Sequence, residues 1–201
     1  MYNERNTKLY RKRFSIESCD AEHVSIWNIA PVWPGRSKAK LSAKQLADLM
    51  DGAFSRSADH GHLVLWMPAS ELHQTPFDPL DMCGPWIPSA TILSGSAPLH
   101  IGFVYSRSRS KASWETKLIL DERGKRGPSS SLTVKFMLEN LGDVVGPIVD
   151  PFAHSSAILP KYARIQGFRY VGYTASKKAY REIANKLAQV ELPGIQLEVP
   201  A

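Results

Sequence analysis

Cysteine is scarce in this chain: among 201 residues only Cys19 and Cys83 occur, far apart and without metal-site spacing. That argues against a disulfide-stapled framework or a zinc site, points to no metal, and favours a cytoplasmic location. Long apolar runs are missing as well. No window approaches the roughly 20 apolar residues of a membrane-spanning helix. The polar, basic stretch from Met1 to Phe14 has no apolar segment behind it, which argues against a secretory signal. Internal repeats, low-complexity tracts and a clear linker are absent too, so a single domain over residues 1–201 is expected. With 43% apolar and 22% charged residues, the chain can bury a sizeable core.

Negative charge is in deficit. Lys and Arg number 25 against 19 Asp and Glu, for a net charge of +6. The excess is clustered: Lys8, Arg11, Lys12 and Arg13; Arg36, Lys38 and Lys40; Arg107, Arg109 and Lys111; Arg123, Lys125 and Arg126. Clusters in expected loops suit a polyanion, because each neutralised phosphate releases counterions. The last three groups are the candidate nucleic-acid contacts.

What is present is an alternation of short apolar runs and helical patterns. Val24 to Ile29 reads as a buried strand ending at Ala30-Pro31. Ser42 is a plausible cap for a helix carrying Leu46, Leu49, Met50, Ala53 and Phe54. His62 to Met67 is a second apolar strand. His60 and His62 flank its start and read as surface and edge residues rather than a metal pair. The proline-rich stretch from Pro76 to Pro98 mixes a short element with loop. Ile101 to Tyr105 and Leu118 to Leu120 read as strands, and Leu132 to Leu141 as a helix. Pro147 to Phe152 is a strand, Ala157 to Ile165 a helix with Pro160 near its start, and Phe168 to Tyr173 a strand. Lys178 to Val190 is an amphipathic helix, with Tyr180, Ile183, Ala184, Leu187 and Val190 on one side. The expected fold class is α/β: an open, mostly parallel twisted sheet with helices on both faces, and a ligand site beyond the strands' carboxyl ends.

The run from Ile148 to Leu187 resembles a segment of DNA amino-methyltransferases, enzymes that use S-adenosylmethionine to methylate adenine or cytosine amino groups. Their pattern is roughly V-L-D-P-F-x-G-S-G-T-T, a helix, G-R-R-Y-I-G-I-E, then a helix with Y-x-x-x-A-x-x-R-L. Asp150, Pro151, Phe152, Ser155, Gly167, Tyr170, Gly172, Tyr180, Ala184 and Leu187 match it in order. Upstream, GPSSSLTVKF falls where the family has H-P-x-x-K-P-x-x-L, with Pro128 in place. VSIWNIAPVW sits where a strand ends in the tetrad D-P-P-Y or D-P-P-W. HGHLVLWMP and LHIGFVYSRS take the places of two later strands. The resemblance implies a three-layer Rossmann-like methyltransferase domain with a tetrad half over about residues 1–110, a loop at 106–128 and a cofactor-motif half over about 129–201.

It also shows what is degraded. In the family the tetrad's Asp or Asn and a backbone carbonyl accept hydrogen bonds from the extruded base, and the aromatic residue stacks on it. Here the tetrad reads Ala30, Pro31, Val32 and Trp33, so stacking and the carbonyl remain but the side-chain acceptor does not. Losing such a group commonly costs several kcal/mol in the transition state. Asn28 is two residues too early and would share Ala30's strand face at a deeper level. In the cofactor half Asp150 and Phe152 persist, but His154 and Ser156 replace the glycines that let backbone approach the cofactor. Thr174 stands for the ribose-binding acid, and Ser131 for the lysine of H-P-x-x-K-P. His154 is read as filling space, since no partner acid or cysteine lies near it in sequence. Tyr173 and Tyr180 are read as packing residues, and the Ser-rich turn before Ser131 as a loop rather than a phosphate cradle.

The expectation is a catalytically degenerate relative, with no cofactor, that binds nucleic acid (DNA first) or a partner subunit. The alternative is an active enzyme using S-adenosylmethionine. Relatives that read DNA alone usually carry an added recognition region, and only the loops at 71–98 and 106–128 are available here. A homodimer or heterodimer is therefore expected.

Overall fold

The computed structural model describes residues 2–4, 6–30, 42–74, 84–95, 99–108, 117–119, 130–141, 146–154 and 156–189. Among these residues nine strands are present: β1 (Tyr2–Glu4), β2 (Thr7–Tyr10), β3 (Val24–Ile29), β4 (Ser57–Pro68), β5 (Ile87–Ser94), β6 (His100–Ser106), β7 (Lys117–Ile119), β8 (Ile148–Asp150) and β9 (Tyr170–Tyr173). Four α-helices accompany them: α1 (Ala43–Ser55), α2 (Ser131–Asn140), α3 (Ile158–Ile165) and α4 (Lys177–Ala188). The strands form one sheet in the order β1-β2-β9-β8-β3-β4-β6-β5-β7. The β2–β9, β9–β8, β8–β3, β3–β4 and β5–β7 pairings are parallel and the other three antiparallel, so the sheet is mostly parallel.

A central strand with both faces covered needs apolar residues at nearly every position. β3 comes close: all six of its residues are buried. Its alternate side chains feed two cores. Val24, Trp27 and Ile29 pack with Leu63, Leu65, Val149, Val171 and, from α1, Leu46, Leu49, Met50 and Ala53. Ile26 and Ala30 face the other way, with Val64, Trp66, Ile148 and Tyr170, under Val134, Met137 and Leu138 of α2 and Leu159 and Ala163 of α3. Leu9 packs on Ile183 and Leu187 of α4, and the Arg164 guanidinium on α3 donates to the Leu187 carbonyl at 2.9 Å. The layers are thus α1, the sheet, and α2 to α4. α1 begins with a reciprocal cap, in which the Ser42 hydroxyl accepts from the Gln45 N–H and the Gln45 side chain accepts from the Ser42 N–H.

Three features depart from the sequence reading. The polar, basic amino-terminal stretch, to which the sequence reading assigned no strand, supplies β1 and β2; Thr7 and Leu9 point inward while Lys8 and Tyr10 are half-buried. β4 starts five residues before His62. His62 is therefore no surface or edge residue: it is 8% exposed inside a strand paired on both sides, and its Nδ1 lies 3.0 Å from the Ser106 hydroxyl. Burial and the nearby His60 lower its pKa to about 4, which keeps the ring neutral. His60 itself is exposed.

The chain enters β8 through Gly146, whose N–H donates to the Ser25 hydroxyl at 2.6 Å. A Cβ there would sit 1.8 Å from the His23 carbonyl oxygen, a backbone atom that cannot swing aside. Gly146→Ala should therefore lower unfolding free energy by at least about 2 kcal/mol in urea titrations. An unchanged midpoint would contradict this packing.

Candidate functional site at the carboxyl edge

Parallel pairing brings the carboxyl ends of β2, β9, β8 and β3 to one edge of the sheet. Residues from distant parts of the sequence meet there. The Thr174 N–H donates to the Tyr10 carbonyl at 3.0 Å, and the Ala153 N–H to the Tyr173 carbonyl at 2.8 Å.

Asp150, the last residue of β8, is 7% exposed. Its Oδ1 accepts from the Phe152 N–H at 3.2 Å and its Oδ2 from the Tyr170 hydroxyl at 3.3 Å. The Asn28 side chain bonds to it as well, while the Asn28 Oδ1 accepts the Trp66 indole N–H at 3.0 Å. Side chains of β4, β3, β8 and β9 thus form one buried polar chain, Trp66–Asn28–Asp150–Tyr170. Gly172 makes room for it, because a Cβ there would lie 2.6 Å from the Tyr170 hydroxyl. Burial raises the Asp150 pKa to about 7, with the bonds from Phe152, Tyr170 and Asn28 pulling the other way. Burial and the neighbouring carboxylate push Tyr170 well above the usual phenol range.

Around this network the sequence-derived site residues take varied places. Ala30 follows β3 and is 2% exposed, in the same apolar cluster as Trp66 and Tyr170. Asn28 lies deeper on the same face, as its spacing implies. Phe152 is half-buried and packs against the α1-side core. His154 and Ser156 are half-buried, and the Ser156 hydroxyl accepts from the Ile158 N–H at 3.4 Å before α3. Thr174 is buried and its hydroxyl accepts from the Ser176 N–H at 3.3 Å. Ser131 opens α2, half-buried, beside the cap residue Ser130. The Ser130 hydroxyl donates to Thr133 at 2.7 Å, and Thr133 lies 2.6 Å from Ser94, so this helix start is held by hydroxyls.

Arg107 is elsewhere. Because β6 runs antiparallel to β4, its carboxyl end lies at the amino edge of the parallel strands. There the Arg107 guanidinium donates to the Ser57 carbonyl and lies 5.0 Å from the Phe54 ring centre. It borders a cavity of about 580 Å3 together with Arg56 and His60, at the end of the sheet opposite Asp150 and Ala30. Pro31, Val32, Trp33, Arg36, Lys38, Lys40, Arg109, Lys111, Arg123, Lys125, Arg126 and Ser155 lie outside the described residues. Among the described residues no group of three or more His, Cys, Asp or Glu is placed to hold a metal. None of their helices is long and apolar enough to cross a membrane.

Sequence reasoning did not assign Asn28, Trp66 and Tyr170 as one unit. The available signal was a lone Asn in a largely apolar strand, which needs a buried partner.

Solved structures share this architecture over nearly their whole length. M1.HpyAVI in complex with S-adenosylmethionine superposes with a TM-score of 0.66 at 9% identity, covering 90% of this chain and 99% of the other. A proposed DNA modification methylase of Thermus thermophilus gives 0.65 at 14%, with 96% and 97% covered. PvuII DNA methyltransferase, cytosine-N4-specific, gives 0.64 at 11%, with 94% and 88% covered. The fold is that of the DNA methyltransferases. No family model and no curated protein sequence matches the chain. The resemblance seen from Ile148 to Leu187 thus falls on the strand–helix units β8-α3 and β9-α4 of this methyltransferase fold.

An aspartate titrates near 3.9 in an unfolded chain, on the order of three units below the buried group. The native state therefore holds more protons between about pH 4 and 7, and its stability falls as pH rises through that window. Asp150→Asn removes this slope. Urea midpoints at pH 4.5, 6 and 8 should show the variant gaining on the wild type as pH rises. A difference independent of pH would contradict the burial of this carboxylate.

Proposed function

We propose that this chain is a catalytically silent protein of methyltransferase fold that binds nucleic acid, DNA foremost, or a partner subunit, in the cytoplasm. One observation carries the reading: among the described residues, the carboxylate and hydroxyl of Asp150 and Thr174 at the carboxyl edge are spent inside the protein. Asp150 is turned into a buried network, the Thr174 hydroxyl caps its own turn, and Ala30 offers no acceptor. A site of this kind does not fit S-adenosylmethionine as the motifs of the DNA amino-methyltransferases that it resembles do. The ribose position lacks an acid, and His154 and Ser156 place side chains where glycines would admit the cofactor. Without a side-chain acceptor on the strand before Pro31, an extruded amine would lack its oriented partner.

The alternative is an active enzyme that transfers the methyl group of S-adenosylmethionine to adenine or cytosine amino groups. It draws support from the retained Asp150 and Phe152, and from structural neighbours that include a cytosine-N4-specific enzyme and two complexes with that cofactor.

Excess positive charge favours a polyanion as partner. Arg107, held against Phe54 and Ser57 at the opposite edge, is better suited to fixing the amino end of β4 than to serving DNA beside Ala30. Arg36, Lys38, Lys40, Arg123, Lys125 and Arg126 remain the proposed contacts, with Arg109 and Lys111 following Arg107 in the chain. A second subunit, identical or not, would supply surface that these segments lack.

Isothermal titration should detect no saturable S-adenosylmethionine binding up to about 1 mM, a limit near −4 kcal/mol. No labelled methyl should pass to mixed DNA or RNA. Saturable binding with transfer would establish the active alternative. Duplex affinity should fall with salt, by a log–log slope of about 0.9 per phosphate engaged. A salt-independent affinity would remove the phosphate-contact reading.

A further inference from the structure

The carboxyl edge has a corner, where β2 ends beside the first turns of α4, that the methyltransferase reading leaves unused. A cavity of about 370 Å3 opens there, lined by Tyr10, Arg11, Lys12 and Tyr180. Its aromatic walls are fixed. Tyr10 stacks on the buried Tyr173 with ring centres 5.0 Å apart, and its hydroxyl donates to Asp20 at 2.6 Å. Tyr180 packs against the cluster of Leu9, Ile183 and Leu187 that seats α4 on β2. The Lys12 ammonium lies 5.2 Å from the Tyr10 ring centre and 5.6 Å from that of Tyr173, so the cation is already placed over π faces at the cavity wall.

Exposed positive charge surrounds the cavity on both elements. Arg11, Lys12 and Arg13 follow β2, while Lys177, Lys178 and Arg181 stand on the first turns of α4. The nearby acids offset little of it: Asp20 is held by Lys8 at 3.0 Å, and Glu182 is 3.8 Å from Lys178. Cations flanking an aromatic cavity suit a repeating anion with a flat group between its charges. A nucleic-acid strand has that chemistry, with bases that stack on rings and phosphates spaced along the backbone. In a duplex the π faces are already stacked, so only an unpaired base could enter.

We propose that this corner holds an unpaired nucleotide of a single-stranded nucleic acid, its base against Tyr180 and its phosphates on Arg11, Lys12 and Lys177, while Tyr10, stacked on Tyr173 and covered by Lys12, forms the fixed back of the cavity. The proposal rests on the nucleic-acid reading above and places it on a surface outside the clusters named there. It also gives Tyr180 a contact role beyond packing.

The test is fluorescence anisotropy with a labelled, mixed-sequence single-stranded oligodeoxynucleotide over a salt series, using the full chain. The Arg11→Ala, Lys12→Ala double variant should bind on the order of tenfold more weakly at low salt, with a slope shallower by about one. Tyr180→Ala should lose on the order of tenfold, and Tyr180→Phe, which keeps the ring, should bind like the wild type. Circular dichroism melts establish that the variants fold. Wild-type binding that none of these substitutions weakens overturns the corner alone. So does unlabelled duplex that displaces the probe better than the single strand. A wild type that binds no nucleic acid overturns both the corner and the nucleic-acid reading beneath it.

Discussion

A carboxylate at the centre of a parallel sheet constrains everything around it. Taking a charged group out of water costs several kcal/mol unless its oxygens are satisfied. Asp150 offsets part of this with a backbone N–H, a phenol and an amide, burial still winning. Each partner comes from a different stretch of chain, and each needs its own support. Asn28 is oriented by the Trp66 indole, and the Tyr170 ring fits because residue 172 has no side chain. Four strands are thereby keyed to one another by polar groups as well as by their ladders. Such networks tolerate little change, because a half-satisfied member costs more than an apolar replacement.

This same economy bears on function. In a sheet of this topology the natural place for a ligand is beyond the carboxyl ends of the strands. Among the described residues of that edge, Asn28 and Asp150 bond to one another and to Trp66 and Tyr170 in the core, and Thr174 and Ser156 bond their own backbone. A polar, basic and aromatic surface lies to the side, at the end of β2. Strand direction also separates charges that are close in sequence from the sites they would be assigned to. Arg107 follows the antiparallel β6 and so emerges at the opposite edge, where it holds the Ser57 carbonyl and covers Phe54.

The legibility of the chain varied with the kind of signal. Continuous apolar runs such as VSIWNI and HLVLWM announced buried central strands, because a residue covered on both faces is apolar wherever it points unless a partner satisfies it. Ser42 marked the start of α1 through a local bond that spacing specifies, whereas Ser176, which caps α4 in the same way, was not read from the sequence. The amino-terminal strands were harder to see. β2 is half polar, and pairing with β1 and β9 and the cover of α4 make Thr7–Tyr10 a strand. The start of β4 was missed because Ser57 to Gly61 lacks an apolar run, although Ser57 pairs with Val24 and its buried hydroxyl accepts the Trp27 indole N–H at 3.0 Å.

The amino-acid sequence by itself determined the α/β alternation, the apolar central strands and the excess of positive charge. All of these are carried by residue type and local periodicity. Tertiary structure alone decided which polar groups are turned into the core. Asp150, Asn28, Trp66 and Tyr170 are distant in sequence, and only the parallel pairing of β9, β8, β3 and β4 brings their side chains within hydrogen-bonding reach.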